Sequence, residues 1–430
     1  MRAHGVPVRK RAHPAGEGRR AEPSARTHRH ASLRAVLALT RRHETVSVAE
    51  LSVATRLSKT TVKKTLDRLA ALNLVVSAGK GATTEEGGKP PELYRFNRSY
   101  GYVVSVHVTP DAMVAVTTDL QGDIGFYRKT PLGAEQALEP ILTRLADEVR
   151  CLQGLKAGGA EKLIAVTVAL PGLADSARGC SVYSPHYPSW GRNVPIAALL
   201  RERLGPTFDA PIFVENVNRW QALAERDKGV AAGTTNFLVV DVLDEGLGAG
   251  IVTHGELLRG AQAISGEIGH MNLNPVDGAP CICGSRGCFE AMVSMRRLRT
   301  LAEAARARGA RSALFERPRG AEFGLEDVCT LGAAGDAVCV ELLDDLARWF
   351  LVGLGNVIMV NDPELVVIQG HLVKAGDAFL ERLREGLRYV GLPDVEKKVR
   401  IEYSRLGEER GVLGGAAFAL ADFFGKRLRF

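Results

Sequence analysis

Aromatic residues are scarce in this chain, 6% of 430, and long apolar runs are missing altogether. The longest, residues 349–360, is interrupted by Gly353, Gly355 and Asn356. A bilayer span needs about 20 apolar residues, so no membrane-crossing helix is expected. No apolar stretch follows the basic N-terminus, which argues against a secretory signal. The seven cysteines are an odd number, and Cys151, Cys180, Cys329 and Cys339 fall in no pairing pattern. Reduced thiols and a cytoplasmic protein are the expectation. Residues 1–30 lack large apolar side chains and hold only two acids, Glu17 and Glu22, against eight arginines and lysines. This segment therefore carries six of the seven net positive charges. A disordered basic tail that attracts phosphates nonspecifically is expected there. The remainder is too long for one core and implies two or three domains.

The most specific pattern lies between residues 266 and 290. His270, Cys281, Cys283 and Cys288 form an H-x10-C-x-C-x4-C set. One imidazole and three thiolates complete a tetrahedral donor set for Zn²⁺, and sulfur ligands disfavour magnesium and calcium. Gly284 and Gly287 allow the tight turns that bring three sulfurs to one ion. Four protein ligands leave no open position, so the ion is structural. Its role would be to hold a loop that carries two carboxylates, Glu267 and Glu290.

Residues 31–98 read as a winged helix-turn-helix. Leu33, Val36, Leu37 and Thr40 mark one face of a first helix, and Val48, Leu51 and Ala54 a face of a second. Leu57 closes the turn, and Ser58 caps a third helix whose inner face is Val62, Leu66, Leu69 and Leu72. The outer face presents Ser58, Lys59, Thr60, Thr61, Lys63, Lys64 and Arg68, donors suited to phosphates and base edges of double-stranded DNA. Strands at 74–76 and 93–96 flank a Gly/Lys/Pro loop, the wing, with Lys80 and Lys89 as further basic positions.

From Tyr102 onward strands dominate: 103–108, 113–118 and a third after the turn Leu120-Gln121-Gly122-Asp123. A helix at 134–152 precedes a continuous apolar run at 163–170, the pattern of a strand buried on both faces. Further buried strands fall at 213–214 and 237–242, with helices between. The alternation predicts an α/β architecture over residues 99–430.

Several segments in order carry a family resemblance: Leu170-Pro171-Gly172-Leu173, Val214-Glu215-Asn216, Gly246-Leu247-Gly248-Ala249-Gly250-Ile251, the 266–290 segment and Asn361-Asp362-Pro363-Glu364-Leu365. Together they resemble the ROK family of repressors, open reading frames and kinases. The resemblance covers most of the chain and implies an actin/hexokinase-like, two-lobed sugar-kinase core. It extends to Gly87-Gly88-Lys89-Pro90, which is similar to the Gly-Gly-Arg-Pro wing of the family's repressors. It also implies that Asn193, Asn216, Glu267, His270 and Glu290 face a sugar; Trp190, in the stretch Trp190-Gly191-Arg192-Asn193, is a candidate to pack on a sugar face.

The chain departs from the family's kinases at three places. His107 stands in the first phosphate turn where an aspartate is expected. Asp244-Glu245 replaces the second, glycine-rich turn. Val217 occupies the position of the general base, and valine cannot accept a proton. The reading that follows is a non-enzymatic transcriptional repressor of sugar uptake or catabolism genes. It binds a palindromic operator as a homodimer or higher oligomer and senses a sugar in an inactive kinase core. Two alternatives stay open: an ATP-dependent hexose or N-acetylhexosamine kinase with a fused DNA-binding domain, and a ligand-independent DNA-binding protein.

Overall fold

The computed structural model describes residues 25–82, 90–133, 136–156, 158–244, 246–317, 322–392, 396 and 398–427. The chain divides into two compact units, with the boundary between Asn97 and Arg98.

The first unit holds α1 (Ala25–Arg42), β1 (Val46–Ser47), α2 (Val48–Thr55), α3 (Lys59–Ala71), β2 (Val75–Lys80) and β3 (Glu92–Phe96). Leu33, Val36, Leu37, Val62, Leu66 and Leu69 are buried together with Leu51, Leu74, Val75 and Tyr94. Helix α1 begins six residues inside the segment expected to be disordered. A helix fixed by its buried Leu33/Val36/Leu37 face extends N-terminally through residues 25–30, which contain neither proline nor glycine. Residues 1–24 lie outside the described residues. The second helix buries Leu51 alone, and Ala54 is exposed because Arg56 ends α2 in the left-handed region at φ 57°. Leu72, expected inside, is 39% exposed, since it caps α3 rather than continuing its inner face. The two-residue strand β1 had no periodicity to announce it. It pairs antiparallel with β3 and makes a three-stranded sheet in the order β1-β3-β2.

The second unit contains two five-stranded sheets built on one plan. In the first, β4 (Gly101–Val108), β5 (Ala112–Asp119) and β6 (Ile124–Pro131) form an antiparallel meander. On the other side of β4, β7 (Lys162–Leu170) and β10 (Ile212–Asn216) run parallel to it, after a short hairpin of β8 (Leu173–Asp175) and β9 (Cys180–Tyr183). The second sheet repeats this. A meander of β11 (Phe237–Val242), β12 (Leu247–Thr253) and β13 (Glu256–Leu257) is flanked by parallel β14 (Leu365–Gly370) and β15 (Arg400–Tyr403). Strands β7, β11 and β14 are buried almost throughout, which is why they read as continuous apolar runs.

Helices α4 (Leu138–Gly154) and α5 (Ile196–Leu204) cover the first sheet, α4 starting four residues later than its apolar pattern suggested. Near the second sheet lie α7 (Phe289–Met292), α8 (Met295–Ala307), α9 (Leu325–Ala333), α10 (Ala337–Asn361) and α11 (Gly376–Gly386). Asp336 caps α10 by accepting from the backbone N–H groups of Val338 and Cys339, and Pro363 follows its last turn.

Between the two sheets run α6 (Val217–Lys228) and α12 (Arg410–Asp422), which pack directly on each other. The contact needs glycine. A methyl group at Gly414 would overlap the Trp220 carbonyl, and one at Gly415 would come within 2.5 Å of the Thr167 hydroxyl. Replacing Gly414 with alanine must therefore push the helices apart. It should lower core stability by about 1–3 kcal/mol or more, seen as an earlier urea midpoint in tryptophan fluorescence. An unchanged midpoint would show that the helix contact carries little of the stability.

Candidate functional site

In the first unit, Ser58, Lys59, Thr60, Thr61, Lys63, Lys64, Arg68 and Lys80 are all exposed. They are not equivalent. The Ser58 hydroxyl accepts from the Thr61 N–H at 3.1 Å and contacts the Thr61 hydroxyl, so both are engaged in capping α3. Lys63 is pinned: Nζ donates to Asp67 at 2.7 Å and to the Tyr94 hydroxyl at 2.6 Å, and Tyr94 donates to Glu92 at 2.6 Å. These partners hold the Lys63 ammonium above its usual range. Lys63 thus ties α3 to β3 and is not a free donor, which corrects its reading as one of a uniform basic face. Lys59, Lys64 and Arg68 make no ion pair among the described residues, and Thr60, Lys64 and Arg68 follow at steps of four along one strip. Lys89, Gly87 and Gly88 of the wing lie outside the described residues.

In the second unit, the segment after β13 turns through a short 3-10 helix, Ile268–His270, into the cysteine loop. That loop folds on itself. Leu273 N–H donates to Gly287 at 2.7 Å, Cys281 to Ser285 at 2.9 Å and Gly287 to Ala279 at 2.8 Å. Gly284 and Gly287 have φ of 89° and 66°, and a side chain at Gly287 would overlap the Asn274 carbonyl. One ligand atom from each of His270, Cys281, Cys283 and Cys288 lies within 4.8 Å of the others. The Cys283–Cys288 sulfur separation and the Cys281 Sγ–His270 Nδ1 distance are both 3.7 Å. A tetrahedron with bonds of about 2.3 Å has edges of about 3.8 Å, so this cluster fits a four-coordinate metal ion. Burial raises the Cys281 and Cys288 thiols, a shift that a cation at the centre would oppose.

The carboxylates sit against this cluster. Glu290 Oε1 is 3.3 Å from Cys281 Sγ and 3.9 Å from His270 Nδ1, while Oε2 accepts from the Leu247 N–H at 3.3 Å. Glu290 is thereby tied to the start of β12 and lies against the metal loop. Glu267 heads the 3-10 helix; burial raises its carboxyl, and the charges of Arg219 and His270 oppose that shift.

The other sugar-facing expectations fare differently. Asn216 caps α6: its side-chain oxygen accepts from Arg219 N–H at 3.2 Å and its amide donates to the Gly172 carbonyl at 2.8 Å. One of its amide N–H groups and its oxygen thus serve the fold, because the strand-to-helix junction leaves an N–H that needs a partner. Asn193 is exposed and left-handed, at φ 56°. Trp190 is not a platform. It is 7% exposed, stacks on Tyr187 at 4.3 Å and donates its indole N–H to Gln136 at 2.9 Å.

The altered kinase positions converge. A methyl group at Gly411 would lie 2.9 Å from His107 Nδ1 and 3.1 Å from Val217 Cγ2, so His107, Val217 and the start of α12 share one spot. The His107 Nδ1 is sealed from solvent without a partner among the described residues. Burial and the Arg410 charge pull its pKa down to about 4, leaving the ring neutral near pH 7. Arg410 faces Asp241 at 3.6 Å. On the opposite turn, Asp244 accepts from the Leu325 N–H at 2.7 Å and Asp327 from the Gly324 N–H at 2.9 Å. The α9 N-terminus already has its anions. Glu245 lies outside the described residues. A cavity of about 540 Å³ beside Asp244 is lined by Arg317, Glu326, Asp327 and His371, which pair among themselves as Arg317–Asp327 and His371–Glu326. Arg219, Arg259 and Arg410 were not singled out by sequence reasoning. The one available signal was the Glu215/Arg219 spacing of four at a helix start.

Two sheets of one plan, joined by paired helices and flanked by a His/Cys3 cluster, define an actin/hexokinase-like sugar-kinase fold. The ROK family model matches residues 109–422, and the chain belongs to the ROK family. It is 25% identical over 377 residues to the xylose repressor of Caldicellulosiruptor bescii, covering 88% of this chain and 92% of that one. It is 29% identical over 314 residues to a glucokinase of Halalkalibacterium halodurans, covering 73% and 92%. A crystal structure of a ROK family transcriptional regulator, a homolog of the E. coli MLC protein, matches with a TM-score of 0.77 and 25% identity. It covers 92% of this chain and 97% of its own. Among the described residues no helix is long and apolar enough to cross a membrane.

The cysteine cluster yields a direct test. Replacing Cys283 with serine removes one of four ligands, so the purified protein should lose its metal and melt earlier. Full metal content with an unchanged melting temperature would refute the site.

Proposed function

We propose that this chain is a sugar-responsive DNA-binding repressor of sugar uptake or catabolism genes, with a kinase-like core that does not transfer phosphate. The observation that carries the second half is the meeting of Val217, His107 and Gly411. Phosphoryl transfer to a sugar needs a carboxylate or equivalent base beside the attacking hydroxyl. That spot here holds an aliphatic side chain, and the imidazole beside it is a poor base, its pKa pulled down to about 4 and its Nδ1 sealed from solvent. Asp244 adds to this, placing a fixed negative charge at the turn where phosphates would rest.

The repressor half is supported by the repressors among its relatives, which match along most of their length, and by the first unit. Helix α3 is the proposed recognition helix of a winged helix-turn-helix spanning residues 31–98. Lys59, Thr60, Lys64 and Arg68 supply the donors, and Lys80 and Lys89 the wing. Zinc is the metal proposed for His270, Cys281, Cys283 and Cys288, since three sulfurs and an imidazole suit it. When bound it would hold the loop that presents Glu267 and Glu290 to ring hydroxyls. A homodimer reading two half-sites would see a palindrome. The sugar acts only by binding one arrangement of the dimer more tightly than another.

Two outcomes are expected. Lys64→Ala should weaken operator binding and reduce the salt dependence by about one phosphate contact; an unaltered slope would remove α3 as the DNA face. Glu267→Ala should leave sugar-free operator binding intact and abolish release by sugar in a gel-shift titration. Release that persists would place the sugar elsewhere. Turnover of ATP with D-glucose or N-acetylglucosamine at an ordinary enzymatic rate would overturn the inactive-core reading. Binding of operator that no sugar alters would favour a ligand-independent DNA-binding protein.

A further inference from the structure

The guanidinium of Arg219 is 1% exposed, in the first turn of α6. It donates to acceptors on three separate segments. These are the Glu215 carboxylate at the end of β10, at 3.0 Å, the Ala174 carbonyl of β8, at 3.2 Å, and the carbonyls of Ala263 and Ser265. Glu215, wholly buried, is in turn saturated. Its Oε1 also accepts from the Asn216 N–H at 2.9 Å, and its Oε2 accepts from Arg259 Nε at 2.9 Å.

Arg259 and Ser265 mark the two ends of one loop. That loop is strapped at both ends to a single buried carboxylate, directly through Arg259 and indirectly through Arg219. Its far side is pressed on β12: the Ala249 N–H donates to the Gly266 carbonyl at 3.2 Å, and a methyl at Gly266 would lie 2.5 Å from the Ala249 carbonyl. Ala263 is held at φ 57°, a left-handed conformation that costs a non-glycine residue energy. The next residue after this clamped segment is Glu267, whose N–H donates to Ile264 at 3.2 Å.

Burying such an ion pair is a poor way to gain stability, because desolvation offsets the attraction. Its distinctive product is geometry, since a planar guanidinium presents donors in fixed directions that an ammonium lacks. We propose that Arg219 is a positioning residue for sugar recognition, setting the Glu267 carboxylate through the strapped loop. This rests on the sugar-sensor reading above. The metal loop is fastened separately, by its own hydrogen bonds and by Glu290 on Leu247.

The test is calorimetry of D-xylose and D-glucose on the full-length, metal-loaded protein, with metal content and sugar-free operator affinity measured in parallel. Arg219→Lys keeps the charge and cannot reach all three segments. The double variant Glu215→Gln with Arg219→Met removes both charges at similar volume and serves if the lysine variant misfolds. Both should lose about tenfold or more in affinity for whichever sugar the wild type binds, with metal content and operator affinity unchanged. Wild-type sugar affinity in Arg219→Lys would overturn the positioning role while leaving the sensor standing. Parallel loss of sugar, metal and operator binding would also overturn it, by showing a general structural role. A wild-type protein that binds neither sugar would bring down the sensor reading and this inference with it.

Discussion

Helix α6 approaches α12 so closely that a side chain is excluded at Gly414, while Gly411 and Gly415 are confined by His107 and Thr167 together with Val217 and Trp220 of α6. Most of what is distinctive in the second unit depends on that contact. It brings the helix that starts at Val217 against the helix that starts at Arg410, and so brings residues from both sheets to one place. Eight of the twelve residues of α6 are buried, among them Arg219, Gln221 and Glu225, so this helix is a polar hub inside an apolar body. Every such group needs a partner. Arg219 finds Glu215, Gln221 pairs with Gln369, and Glu225 accepts from Ser404 and from the Val230 N–H at 3.0 Å.

The chemistry of the core follows from which of these partners replaced which kinase feature. In the proposed reading Val217 stands where a kinase would carry its catalytic carboxylate, beside a histidine kept neutral by burial and by Arg410. Donors that could receive phosphate oxygens at the α9 N-terminus are satisfied from within by Asp244 and Asp327. The sugar side is treated in the opposite way. Glu290 is tied to β12 beside the metal loop, and Glu267 emerges from a loop clamped from two directions. In the function proposed above, Glu267 and Glu290 are the carboxylates that would meet a sugar, and their rigid mounting suits a sensor.

The first unit shows the same division between charges that are spent and charges that are free. Lys63 joins α3 to β3 through Tyr94 and Asp67, so its role is to fix the helix against the sheet. Lys64 and Arg68, one step round the helix, carry their charge outward. Counting basic residues on a helix face would treat these three alike, and the physical difference lies in whether an anion or hydroxyl already holds the ammonium.

The His/Cys3 set, the buried strands β7 and β11, the capped third helix at Ser58 and the inner face of α1 were all legible in the sequence. In each case the signal is local: a ligand spacing, a continuous apolar run, a hydroxyl before a helix, a repeat of three and four. That Val217 accepts no proton was equally plain, since residue identity alone decides it. The fates of Trp190, Asn216, Lys63 and Arg219 belonged to the tertiary structure. A tryptophan is a platform or a core residue according to whether a Tyr187 ring covers it, and an asparagine is a ligand or a cap according to which strand end leaves an N–H unpaired. Some of these partners are near in sequence, Tyr187 beside Trp190 and Arg219 after Asn216, but a spacing does not say which group ends up covered; others, Tyr94 for Lys63 and Ala174, Ala263 and Ser265 for Arg219, come from distant segments that no local pattern encodes.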